Sequence, residues 1–197
     1  MKIFLSSTCY DLVDLRAIIE DHFFKKGEEL LLSDRNTFPV DPDEHRHDLC
    51  LLNAKKANLF LLFLDKRFGA PYYKDNNISI TWAEYRAAKE ANIPILVFIR
   101  ENVFNERETW KKNGRQDSFK PAFTDKIDTF KFIDEIQLDN KGFWIESFRN
   151  AVDILKRFDN SDFKKVNVPQ KSLEYIKNII FEIIKEVPID LITSVIR

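Results

Sequence analysis

The sequence predicts an α/β fold of the flavodoxin-like kind: a three-layer sandwich around a mostly parallel five-stranded sheet in the order 2-1-3-4-5. Leu59–Leu64 is six consecutive apolar residues, too short for a typical helix and suited to a central strand buried on both faces. Ile93–Ile99 repeats that pattern, with Pro94 at its beginning, where the missing N–H is tolerated. Strand and helix periods alternate up to this point as β-α-β-α-β-α-β. That order implies a parallel sheet with helices on both faces.

The first strand is Lys2–Ser6, ended by Ser6-Ser7-Thr8. Asp11 is read as the cap of a helix whose apolar face is Leu12, Leu15, Ile19 and Phe23, and Gly27 stops that helix. Glu29–Leu32 is the second strand, and Ser33–Asp43 is a polar loop carrying Pro39 and Pro42. A second helix is expected from about Asp43 to Lys56, with Leu49 and Leu52 inward. After the central strand, Asp65-Lys66-Arg67-Phe68-Gly69 leads into an aromatic loop with Tyr72 and Tyr73.

A third helix opens within Ser79–Ala88. Thr81 is read as its N-cap with Glu84 three residues on, the spacing of a capping box. On the residues alone, Glu84 either completes that box or projects into a cleft to do chemistry. Glu101–Gln116 is charged and reads as a helix or an insertion. Thr129–Ile133 is expected as the fifth strand, and Trp144 and Phe148 as leading into a helix through Leu155 and Phe158. After Asp159-Asn160-Ser161-Asp162 the composition shifts. Pro169 precedes an amphipathic stripe of Leu173, Ile176, Ile179, Ile180, Ile183, Ile184 and Val187, broken by Pro188. The chain thus divides into an α/β domain, 1–160, and a C-terminal helical extension, 161–197. The stripe either docks on the domain or joins a homo-oligomer through residues 171–197.

Composition narrows the function classes. The chain has 197 residues, with 31 basic and 32 acidic side chains, so no global charge draws it to nucleic acid or to a membrane surface. A 44% hydrophobic and 13% aromatic content indicates a packed globular protein. Met1–Leu5 is too short an apolar run for a secretory signal, and no run reaches the roughly 18–20 residues of a membrane span. Cys9 and Cys50 are read as reduced thiols, and the expected location is cytoplasmic. The four glycines allow neither a G-x-G-x-x-G nor a P-loop pattern, which disfavours a Rossmann redox enzyme and a P-loop NTPase.

Open parallel sheets bind ligands beyond the carboxyl ends of their strands, where strand order reverses. In the expected order that point lies between strands 1 and 3. It gathers Ser6, Ser7, Thr8, Cys9, Tyr10 and Asp11 with Arg67, Phe68, Trp82 and Glu84. The hydroxyls and helix start of the first loop suit phosphate or ribose oxygens, and equally suit an ordinary capped turn. Arg67 could pair a phosphate or close a surface ion pair; Tyr10, Phe68 and Trp82 could stack on a ring or fill the core. His45, His47, Asp48 and Cys50 face two ways on their helix and do not converge as metal ligands, so no metal is expected. Cys9 has no histidine placed to activate it.

Lys2–Leu12, Phe38-Pro39-Val40-Asp41-Pro42, Cys50-Leu51, Arg67-Phe68-Gly69 and Ser79-Ile80-Thr81 with Glu84-Tyr85 together resemble a bacterial domain-of-unknown-function group placed among TIR-like domains. The likeness covers about Met1 to Arg100. It implies an NAD-processing enzyme of prokaryotic immunity, with NAD as substrate and no cofactor. The product would be ADP-ribose or a cyclic or conjugated signal for a downstream effector. It places the catalytic glutamate at Glu84, with Ser6, Ser7, Thr8, Tyr10, Asp11, Arg67, Phe68 and Trp82 binding substrate. Two rivals are a non-catalytic assembly module, with Glu84 only a helix cap, and a nucleoside or nucleotide N-glycosidase or transferase related to the deoxyribosyltransferases.

Overall fold

The computed structural model describes residues 1–139 and 144–160. The chain runs β1 (Lys2–Ser6), α1 (Val13–Lys25), β2 (Glu29–Leu31), α2 (Arg46–Lys56), β3 (Leu59–Leu64), β4 (Pro71–Tyr72), β5 (Asp75–Ser79) and α3 (Ile80–Glu90). It continues with β6 (Ile95–Arg100), α4 (Glu101–Lys112), α5 (Asp128–Leu138), β7 (Trp144–Phe148) and α6 (Ala151–Asp159). The main sheet has five strands in the order β2-β1-β3-β6-β7, and every neighbouring pair is parallel. With the small β4–β5 hairpin set aside, this is the expected flavodoxin-like order.

All six residues of β3 are buried, as a continuous apolar run between two helical layers requires. Successive side chains serve opposite faces. Phe60, Leu62 and Leu64 join Phe4 and the buried side of α2 and α3. Phe63 stacks on Phe98, which meets Phe158 of α6, and Phe158 meets Phe23 of α1. Helices α2 and α3 pack together on one face, and α1 and α6 on the other. The β1–α1–β2 and β2–α2–β3 crossovers therefore run on opposite faces, and the gap between the ends of β1 and β3 is the switch point.

Several elements differ from the sequence reading. Residues 129–133 are helical: Thr129, Phe130, Ile133 and Ile136 bury one face of α5 at spacings a strand does not have. The fifth strand is β7, whose Trp144–Phe148 segment was expected to lead into a helix. Helix α2 begins at Arg46, where the His45 side chain caps it by accepting from the His47 N–H at 3.1 Å. Leu52 faces solvent there, and Leu49, Cys50, Asn53 and Ala54 face inward. Asp11 does not cap α1; its Oδ1 accepts a hydrogen bond from Thr8 Oγ1 at 2.5 Å. The expected amphipathic extension and its oligomer contact, 161–197, lie outside the described residues. None of the described helices is long and apolar enough to cross a membrane.

Candidate active site

The strand end supplies the first part of the site. Ser6 closes β1 opposite Leu62 of β3, and it is buried. Its Oγ donates to Glu84 Oε2 at 2.5 Å, joining the end of β1 to α3. Ser79 is the true N-cap of α3, its Oγ accepting from the Trp82 N–H at 3.3 Å. The cap lies two residues before Thr81, so Glu84 falls in the second turn, beyond the reach of a capping box. Its carboxylate instead turns inward and is only 5% exposed.

A cavity of about 600 Å³ opens above this carboxylate, a size that fits a small cofactor or nucleotide. Ser7, Thr8, Cys9, Tyr10 and Val13 form one wall, and Ser33 and Asp34 follow β2. Arg46, His47 and Cys50 bring the start of α2, while Arg67, Gly69, Ala70, Ile80, Thr81 and Asp125 complete the rim. Gly69 stands at φ +89°, a left-handed conformation that side chains disfavour. A Cβ there would lie 3.0 Å from Thr8 Cγ2, so glycine lets the two loops approach. Asp125 fixes the same loop, its Oδ1 accepting from the Phe68 N–H and its N–H donating to Lys66 O, both at 2.8 Å.

Charge is distributed unevenly across the cavity. Burial drives the Glu84 carboxyl up to about 7, against the opposing pull of the Ser6 hydrogen bond, the positive charge of Arg16 and the Cys50 thiol. Burial also raises Cys50 and Cys9, so both are protonated thiols at neutral pH. Burial lowers His47, whose Nδ1 accepts from the Tyr73 N–H at 3.3 Å, an interaction that requires that nitrogen unprotonated. Arg67 makes no ion pair or hydrogen bond among the described residues. Among the described residues Arg46 donates only to the Ser33 carbonyl, at 3.3 Å. Two guanidinium groups thus stand at the rim above a carboxylate floor, with Tyr10 87% exposed beside them.

Of the residues singled out in the sequence, Ser7, Thr8, Tyr10, Arg67 and Glu84 line this cavity, and Ser6 lies beneath Glu84. Asp11 lines a neighbouring cavity of about 360 Å³ with Asp65, Lys66 and Arg100. Phe68 and Trp82 are in the core: they meet edge to face at 6.3 Å, and Trp82 stacks on Phe132 at 4.9 Å. Sequence reasoning passed over Arg16, Asp34, Arg46 and Asp125. Arg16 carried the one usable signal, a charge inside the stripe Leu12, Leu15, Arg16, Ile19, Phe23. Arg46 and Asp125 belong to no motif, and only the fold brings them to the cavity.

An open, all-parallel α/β sheet with a carboxylate-floored cavity at its switch point defines the class. Residues 2–161 match the family described as "Domain of unknown function (DUF4062)", and the chain belongs to that family. The description names no activity and no TIR kinship, so the TIR-like placement expected from the sequence does not follow from membership. No curated protein matches the chain. Among solved structures, a CMP N-glycosidase of Clostridium botulinum is similar at 14% identity over 81% of this chain and 98% of that one, with a TM-score of 0.47. A likeness that distant carries no argument about the chemistry of this cavity.

Proposed function

We propose that this protein cleaves the N-glycosidic bond of a nucleotide, with Glu84 as the catalytic carboxylate. The observation that carries the reading is the Glu84 carboxylate itself, buried as the floor of a nucleotide-sized cavity with no salt bridge among the described residues. A buried anion held, among the described residues, by Ser6, Cys50 and the positive field of Arg16 without a direct ion pair is electrostatically incomplete. A positive charge developing in front of it completes the site, so the site is complementary to an oxocarbenium-like transition state more than to a neutral ground state.

The roles of the other groups follow from their places. Arg46 and Arg67 hold the phosphate at the rim, where exposed guanidinium groups without a carboxylate partner among the described residues match its oxygens. The exposed ring of Tyr10 stacks on the base, and Ser7 and Thr8 offer hydroxyls to the ribose. The bond between C1′ and the base nitrogen breaks, with both electrons leaving on the base. Ionised Glu84 stabilises C1′ or bonds to it. Water then supplies the hydroxyl at C1′, and its proton balances the departing base. NAD belongs to this substrate class, since nicotinamide leaves as a neutral base and needs no acid.

Base release decides the reading. Purified protein is incubated separately with CMP, UMP, AMP, GMP, their nucleosides and NAD, and free base is separated by chromatography. Release from at least one nucleotide, faster than from its nucleoside and lost in Glu84→Gln, is the expected result. Equal release by wild type and variant removes Glu84 from the catalytic role, and no release by either removes the enzymatic reading and leaves a binding module.

A further inference from the structure

The catalytic roles above leave a buried guanidinium beside the site unused. Arg16 sits on α1 within the apolar stripe of that helix and is 1% exposed. A charge at such a position is costly unless its surroundings use it. Its Nη1 donates to Ser7 Oγ at 2.7 Å, and its Nη2 pairs with Asp34. Its Nε is buried with no hydrogen-bond partner among the described residues. A purely structural ion pair would gain by satisfying that donor.

The strand end shows what the charge is placed for. Ser6 ends β1 and Ser7 follows it directly in a bend, so adjacent residues carry the two hydroxyls at the strand end. Ser6 holds Glu84 on the α3 side, and Ser7 receives Arg16 on the α1 side. One strand end therefore lies between the guanidinium and the carboxylate. Asp34 lines the cavity from the loop after β2, so Arg16 also ties that loop to the β1–α1 loop.

We propose that Arg16 is the positioning residue for Glu84: from behind the cavity wall it fixes the Ser6–Ser7 strand end and supplies the buried positive charge that the carboxylate faces. This rests on the glycosidase reading and names a residue that reading does not require. The groups around Glu84 are Ser6 of β1, Cys9 of the following loop, Arg16 of α1, Asp34 after β2, Arg46, His47 and Cys50 of α2, and Arg67 and Asp125 at the rim. Arg46 and Arg67 are exposed, where water and salt screen them. Arg16 is buried and acts through protein, with Asp34 as its counter-charge.

The test follows the Glu84 titration by carbon NMR of isotope-labelled glutamate, with Glu84→Gln identifying the resonance. The wild-type midpoint is expected near 7. Arg16→Met should raise it by roughly one pH unit or more, the usual effect of removing a nearby opposite charge. Arg16→Lys keeps the charge and should stay close to wild type, while losing the planar fork that holds Ser7 and Asp34 together. Asp34→Asn leaves Arg16 unbalanced and should lower the midpoint; it serves alone if Arg16→Met does not fold. An unchanged midpoint in Arg16→Met, or equal shifts in the Met and Lys variants, overturns the proposal. With Asp34→Asn alone, a midpoint at or above the wild-type value overturns it. These midpoints need no turnover, so a wild type that releases no base from any nucleotide refutes the glycosidase reading separately.

Discussion

Replacing Glu84 by glutamine should stabilise the protein at alkaline pH while removing its activity. The carboxyl stands at about 7 in the fold because burial penalises its charge, against an ordinary 4.5. The difference is worth about 3 kcal/mol, at about 1.4 kcal/mol per pH unit. The sign follows from proton binding. Between 4.5 and 7 the folded state retains a proton that the unfolded chain has lost, so wild-type stability falls as pH rises through this window. Above it the full cost of the buried charge remains. Glutamine has no such titration, and its amide oxygen still accepts from Ser6. The variant should match wild type near pH 4.5 and exceed it by about 3 kcal/mol at pH 8, an upper figure because the new amide N–H atoms need partners beside Cys50. For a chain of this size that is roughly 6–12 °C in melting temperature. Urea unfolding followed by circular dichroism at pH 5 and pH 8 measures it. A gap between the two proteins that does not grow with pH, or a less stable variant at pH 8, would refute the burial of an unpaired carboxylate.

Other expectations separate the rim, the loop and the core. Arg67→Ala should raise KM for a nucleotide by roughly tenfold, the loss of one charge-assisted phosphate contact, with little change in unfolding midpoint; steady-state kinetics check it, and an unchanged KM argues against the phosphate role. Gly69→Ala should cost roughly 1–3 kcal/mol, since alanine is strained at φ +89° and its Cβ would press on Thr8, and the pocket wall should move with it. An unaltered urea midpoint would contradict that close approach. Trp82→Phe should lower stability by roughly 1–3 kcal/mol and leave KM near wild type, because the ring packs on Phe132 away from the cavity. A raised KM with undiminished stability would instead return Trp82 to the site.

What the sequence made legible follows from where burial is uniform. Leu59–Leu64 is buried on both faces, so its apolar run could be read without knowing its neighbours. The edge strand β7 shows only one fully buried residue, Phe148, and its mixed pattern carries no period. Thr129-Phe130-Lys131-Phe132-Ile133 alternates locally like a strand; only with Ile136 does the helical stripe emerge. The α3 cap was misplaced because Ser79 and Thr81 are both good caps, and choosing between them depends on where the β5 strand ends. That shift of two residues decided the meaning of Glu84, since a glutamate at the third helical position is a cap and one in the second turn is free to face β1. Ser7, Thr8, Tyr10, Arg67 and Glu84 were brought together by topology reasoning alone, and the structure places them on one cavity. Arg46 and Asp125 lie 21 and 58 residues from Arg67, and local pattern holds no trace of such distant partners.

The most direct test of the central claim is base release by wild type and Glu84→Gln side by side, at matched concentration and with both shown folded. Wild type should liberate free base from a nucleotide, the variant should not, and the variant should be the more stable protein at pH 8. A variant that releases base at the wild-type rate would contradict a catalytic role for Glu84, whatever its effect on stability.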